Sequence, residues 1–193
     1  AVRALSVPCD VTIEAQCRNL MAATVEAHGR LDVLIACAGI LQGAFVDVAD
    51  LEDETFARVI DVNLRGAFLS VKHAVRAMTG GGVILLLASG AGVTGSSSSV
   101  AYGASKGAVH GLGLVLQHRL AGRGIRVNTV APSAIATPLK EQNVRDAGRA
   151  RDASAAEIEA AQRALGDPSG VARVLAFLAS DDADYVRGTV STR

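Results

Sequence analysis

The sequence predicts an α/β fold built on a parallel sheet. Two patterns predict it. Short, nearly unbroken apolar runs, Leu31 to Cys37, Val83 to Ala88 and Ile125 to Val130, carry the mark of strands buried on both faces. Between them lie segments whose apolar residues recur with helical spacing, which gives the strand–helix alternation of a parallel sheet.

In chain order, Val2 to Val7 reads as a short strand ending at Pro8-Cys9-Asp10. Thr12 is placed to cap a helix along Ile13, Cys17, Leu20, Met21, Thr24 and Val25, and Gly29 supplies its stop. After the Leu31–Cys37 strand, closed by Ala38-Gly39, a long helix carries the stripe Phe56, Val59, Ile60, Leu64, Phe68, Val71, Val75 and Met78. Gly80-Gly81-Gly82 halts it before the second central strand. A loop of small residues, Gly90 to Ser99, leads to a helix from Ser105 to Leu120, whose Gly107, Gly111 and Gly113 permit close packing. Pro132 stops the third central strand. From Lys140 to Gly166 the chain turns polar, with Ser154 and Glu157 forming a capping box for a helix of about ten residues. Such an excursion after a central strand suits a segment that covers a site, about residues 139–166. A core-facing helix from Val171 to Ala179 and a strand from Gly188 to Ser191 end the pattern.

Composition bounds the function. The 193 residues make one domain large enough for a full core. Half are apolar against 20% charged, and Lys+Arg balance Asp+Glu at 19 each. Neither a nucleic-acid footprint nor a polybasic membrane patch is present. Cys9, Cys17 and Cys37 lack the paired spacing of a metal site and read as reduced, buried thiols. With no apolar run near ~18 residues, the expectation is a soluble, cytoplasmic protein without a metal. His28, His73, His110 and His118 lie on helices without ligand spacing.

Chemistry concentrates in Tyr102-Gly-Ala-Ser-Lys106. A tyrosine and a lysine four apart share one helix face. A phenol titrates near ~10, and a neighbouring ammonium lowers that value. Reaching neutrality takes roughly 4 kcal/mol of preference for the phenolate. Ligands in open parallel sheets bind beyond the carboxyl ends of the strands, which selects Asp10, Ala38-Gly39, Ser89 and the stretch from Pro132. Asn63 falls on an apolar helix stripe, where its amide needs a partner or a water.

Together these residues resemble the short-chain dehydrogenase/reductase family. The resemblance rests on Val62-Asn63-Leu64-Arg65-Gly66, on Ser89 ahead of Tyr102-x-x-x-Lys106, and on Pro132-x-x-x-x-Thr137. Asp10-Val11 and Phe177-Leu178-Ala179-Ser180-Asp181 follow in order and spacing, so nearly the whole chain takes part. The resemblance implies a Rossmann-like, doubly wound, three-layer αβα domain and an NAD- or NADP-dependent interconversion of an alcohol and a carbonyl compound. It casts Tyr102 as acid/base, Lys106 as the residue that tunes it and holds the nicotinamide ribose, and Ser89 as donor to the substrate oxygen. Asn63 would bind a water that completes a proton relay. Asp10 and Val11 would contact the adenine, Cys37, Ala38 and Gly39 would pass the cofactor by backbone, Ile135 with Thr137 would hold the carboxamide, and Pro132 would also line the cofactor site. The two long helices resemble those of the family's dimer interface, which implies a homodimer or homotetramer.

Three departures stand against the pattern. Ala36-Cys37-Ala38-Gly39 replaces the family's Asn-Asn-Ala-Gly, and Pro132-Ser133 its Pro-Gly. The glycine-rich phosphate loop is missing, since Gly80-Gly81-Gly82 precedes a strand instead of following one. Val2 aligns with the family's third strand, so the expectation is a fragment lacking about 50–60 residues in front and the closing Asp-Gly-Gly. Such a chain would leave its first strand without a neighbour and the Leu31–Cys37 strand with a bare edge. It would bind a dinucleotide poorly and turn over little. The alternative expectation is a noncatalytic dinucleotide-fold module that binds or oligomerises.

Overall fold

The computed structural model describes residues 4–192. Four parallel strands, β1 (Val33–Ala36), β2 (Gly82–Leu87), β3 (Ile125–Ala131) and β4 (Gly188–Ser191), lie side by side in chain order. Alternation along β2 sends Ile84 and Leu86 to one face and Val83, Leu85 and Leu87 to the other. The first face packs with Met21, Val71, Ala74 and Val109, from helices α1 (Glu14–His28), α3 (Gly66–Ala77) and α5 (Val100–Leu120), and with Met78 just after α3. The second packs with Leu178 of helix α8 (Pro168–Ala179) and with Ala183. Both faces of the central strands are thus covered, and the expected three-layer doubly wound arrangement is what forms.

The remaining helices are α2 (Asp53–Ile60), α4 (Gly90–Thr94), α6 (Pro138–Arg149) and α7 (Ala155–Arg163). Gly29 ends α1 in the left-handed region at φ 82°, as expected of a glycine stop. The Ser154–Glu157 capping box starts α7 as read from the sequence.

Several elements differ from expectation. No strand forms over the described part of Val2 to Val7; residues 1–3 lie outside the described residues, and residues 4–10 run without a ladder partner. Leu5 is accordingly 53% exposed. Strand β1 is shorter than Leu31–Cys37 and only half-buried, because it occupies the edge of the sheet and Ile35 faces out. Thr12 does not cap α1: its hydroxyl donates to Asp10 Oδ1, and Ile13 takes the cap position. The stretch from Gly90 is not all loop, since it forms the short helix α4 under a Ser89 cap. Helix α5 starts at Val100, five residues earlier than expected, because Ser99 Oγ accepts from Tyr102 N.

The long helix is continuous but contains a π-turn, Asp61–Arg65, between α2 and α3. The wider turn inserts about one residue and rotates everything after it. Leu69, Ser70 and His73 therefore turn inward, while Phe68, a member of the expected stripe, is 47% exposed. Of the three α5 glycines expected to pack closely, Gly113 and Gly107 meet neighbours: a Cβ on Gly113 would sit 2.0 Å from Thr129 Oγ1 and one on Gly107 3.3 Å from Gly92 O. Gly111 faces open space.

Candidate active site

Helix α5, anchored by its Ser99 cap, presents Tyr102 and Lys106 one turn apart beside the carboxyl end of β2. Lys106 is buried, and its Nζ donates to Leu87 O at 2.7 Å and sits 5.7 Å from the centre of the Tyr102 ring. Burial lowers its pKa from the ordinary 10.5 to about 8, with Cys37 opposing that shift. Ser89 follows β2 directly; its Oγ accepts from Ala91 N at 3.2 Å and so caps α4. It also meets Tyr102, whose pKa is raised by burial and drawn back by the Ser89 hydrogen bond. This is a correction to the expected tuning. Desolvation is the larger cause of the shift, while Lys106 Nζ donates to the Leu87 carbonyl.

What brings Ser89 to Tyr102 is the crossing of α4 on α5. A Cβ on Gly92 would lie 2.3 Å from Lys106 C and 2.4 Å from Gly107 N. Only a hydrogen at this position lets the two backbones meet.

Asn63 makes three hydrogen bonds. Its Oδ1 accepts from Ile40 N at 2.7 Å, while Nδ2 donates to Ile40 O at 2.9 Å and to Ser105 Oγ at 2.9 Å. The π-turn carries this amide to both the turn after β1 and helix α5. The bonds to Ile40 stabilise the turn in which Ala36-Cys37 replaces the family's amides. Gly39 lies between the polar groups: a Cβ there would be 3.3 Å from Asn63 Oδ1 and 3.4 Å from Lys106 Nζ. Cys37 and Ala38 beside it are exposed, so the thiol is not the buried filler expected; Cys9 is half-buried and Cys17 alone fully so.

Pro132 joins the site through its carbonyl, which accepts from Gly90 N at 2.9 Å. Ile135 is buried and bridges to Gly166, and Thr137 Oγ1 accepts from Lys140 N to cap α6. Asp10 and Val11 sit apart from this group. Asp10 Oδ1 accepts from Thr12 N and Oγ1, which lowers the carboxyl pKa, and Val11 packs on Gly66 of α3. Among the described residues, no group of three metal-ligating side chains converges.

The chain matches over residues 1–192 the family described as Enoyl-(Acyl carrier protein) reductase. It is 37% identical to (+)-borneol dehydrogenase 2 of Salvia officinalis, over 93% of this chain and 66% of that protein. It is 36% identical to a 3-oxoacyl-[acyl-carrier-protein] reductase of Thermotoga maritima, over 94% and 72% of the two chains. The chain belongs to the short-chain dehydrogenase/reductase family. Among solved members, levodione reductase superposes with a TM-score of 0.86 at 33% identity, covering 95% of this chain and 72% of that one. NAD+-bound xylitol dehydrogenase superposes at 0.84, with 33% identity and 95% and 75% coverage. The chain spans about two thirds to three quarters of these relatives' lengths.

The sequence missed the π-turn that lifts Asn63, the α4–α5 crossing at Gly92, and the pairing of Ile135 with Gly166. Gly92 carried the one available signal: a glycine three residues after Ser89, within a run of small residues.

Proposed function

We propose that this chain carries the catalytic residues of a nicotinamide-dependent oxidoreductase that interconverts an alcohol and a ketone or aldehyde. The observation that carries the reading is Ser89 beside a half-buried Tyr102, one turn from a buried Lys106. The residues present suit the nicotinamide-ribose end of NAD or NADP. Gly39 leaves room where a side chain would crowd Asn63 and Lys106, and Lys106 Nζ has further protons beyond the one given to Leu87 O. Lys106, Tyr102 and the Gly39 backbone would hold the ribose, with Pro132, Ile135 and Thr137 at the carboxamide. Cys37 and Ala38 would line the path, and Asp10 with Val11 the adenine end. When bound, the cofactor supplies the hydride chemistry.

The protein's part is proton transfer and orientation. Ser89 Oγ–H donates to the substrate oxygen, and Tyr102 Oη delivers the proton to that oxygen during reduction. A pKa raised by burial keeps the phenol protonated at neutral pH, the form a proton donor requires. Lys106 offsets the charge on the phenolate that remains. Asn63 Oδ1, with one lone pair beyond its bond to Ile40 N, accepts a water that returns a proton toward Lys106. In the oxidation direction Tyr102 acts as base, so that rate rises with pH.

Residues 139–166 cover the site and shape the substrate pocket. Phe68, Val100, Leu114 and Val115 expose apolar surface on α3 and α5, and a second copy of the chain is the proposed occupant, giving a homodimer or homotetramer. Light scattering that found monomer alone would remove that assignment. No described helix is long and apolar enough to cross a membrane, and free thiols suit a reducing cytoplasm.

The test is Tyr102→Phe, followed by nicotinamide absorbance against a panel of alcohols and ketones. The expected loss is about 10²–10⁴-fold in turnover with an unchanged circular dichroism spectrum. An unchanged rate would overturn the assignment in favour of a noncatalytic dinucleotide-fold module.

A further inference from the structure

Residues 137–166 form a closed excursion whose two ends meet. Ala136 N donates to Gly166 O at 2.8 Å and Gly166 N donates to Ala134 O at 2.9 Å, so Ile135 and Gly166 bridge its base. Within the excursion α6 and α7 pack on each other at Gly148, where a Cβ would lie 2.4 Å from Ile158 Cγ1. A unit tied at its base and packed on itself can move as one body. What docks it to the rest of the site therefore matters.

One side chain of α6 stands out. Asn143 is only 6% exposed on an otherwise polar helix, and a buried amide is tolerated only when bonded. Its Oδ1 accepts from Lys140 Nζ at 3.3 Å, and its Nδ2 donates across to Ser98 Oγ at 2.8 Å. Ser98 O in turn accepts from Phe45 N at 2.7 Å, and Phe45 holds a left-handed φ of 63°, which costs a non-glycine residue energy. The next residue, Ser99, donates from Oγ to Gln42 O at 2.6 Å and accepts there from Tyr102 N at 3.1 Å. Ser97 Oγ closes the turn by donating to Ser99 O at 2.8 Å. Four residues thus connect α6 to the first turn of α5: Asn143, Ser98, Ser99 and the backbone of Tyr102.

We propose that Asn143 is a positioning residue, a latch that docks the covering segment on the Ser97–Ser99 turn and through it sets the placement of Tyr102. The proposal rests on the assignment of Tyr102 as acid/base. Asn143 touches neither substrate nor cofactor; it acts through Ser98 and Ser99. Opening of the segment then loosens the turn that caps α5, so the acid/base group is held in place only when the site is covered.

The test uses the whole chain and two readouts that need no turnover. The first is amide hydrogen exchange over residues 137–148, with residues 105–116 of α5 as the reference. Asn143→Ala and Ser98→Ala should each speed exchange about three- to tenfold, the loss expected for one buried hydrogen bond. The double variant should be no faster than either single one. The second readout is carbon NMR of tyrosine labelled at Cζ. The chain holds two tyrosines, and Tyr185, 99% exposed, serves as an internal standard. Each variant should shift the Tyr102 signal and leave that of Tyr185 unmoved. Additive effects in the double variant overturn the latch. Faster exchange with an unmoved Tyr102 signal overturns the positioning role and leaves a merely structural asparagine. Should Asn143→Ala fail to fold, Ser98→Ala, in the loop before α5, carries both readouts alone. If Tyr102→Phe left turnover intact, the exchange and NMR results would still stand, so the two failures are distinguishable.

Discussion

Replacing Lys106 by Met should stabilise the protein at neutral pH, and do so less as the pH rises. Lys106 is buried, and burial brings its pKa from 10.5 to about 8. Below about 8 both folded and unfolded chains carry the ammonium, so the folded state bears the full desolvation cost. A shift of that size corresponds to about 3 kcal/mol. Between about 8 and 10.5 the folded lysine is neutral while the unfolded one stays charged, and the cost shrinks toward zero. Folding stability contributed by this group therefore increases with pH across that window. Methionine has a similar length and no charge, but forfeits the 2.7 Å bond to Leu87 O, which offsets about 1 kcal/mol. The expected net gain at pH 7 is about 2 kcal/mol, read from urea unfolding of both proteins. At pH 10 the gap should close or reverse. A variant less stable at pH 7, or a gap independent of pH, would refute the reasoning. A gain accompanied by lost turnover would show a site that gives up stability for function.

Two further substitutions probe the framework around that lysine. Gly92→Ala places a Cβ 2.3 Å from Lys106 C, against backbone that cannot turn away. It should destabilise the fold by about 2 kcal/mol or more and part Ser89 from Tyr102, lowering turnover further than stability alone explains. Urea midpoints beside kinetics at a temperature where both proteins are folded separate the two effects. Asn63→Ala removes three hydrogen bonds and frees the backbone of Ile40. The expected cost is about 2–4 kcal/mol, with faster amide exchange at Ile40; a neutral substitution would show that the π-turn needs no such clamp.

The central strands were legible because both their faces are covered. Val83 to Ala88 reads as one apolar run, and the structure buries every residue of it. The edge strand was overread for the complementary reason: Leu31 to Cys37 looks as apolar, yet with one neighbour it shortens and Ile35 faces out. Helical periodicity placed Asn63 and Phe68 on one stripe, but it assumes 3.6 residues per turn throughout. A π-turn leaves no compositional mark, so Phe68 was assigned to the core, and the partners that the Asn63 amide needs could not be named. Spacing put Tyr102 and Lys106 on one helix face, and the apolar run before Ser89 put it at a strand end; their roles came only from the family resemblance. The direction of the tyrosine's pKa was not legible, since it depends on how far the fold buries the phenol. Asn143 carried no signal at all, because a polar residue in a polar helix announces nothing about what it crosses to reach.

The most direct measurement is a fluorescence titration of NADH and NADPH against this chain and its Lys106→Met variant. A site that grips the nicotinamide ribose through Lys106 predicts saturable binding of one or both, weak at about millimolar affinity. Loss of a charged hydrogen bond should weaken it about tenfold or more in the variant. Identical curves for the two proteins, or no saturable signal with a folded wild type, would contradict the account.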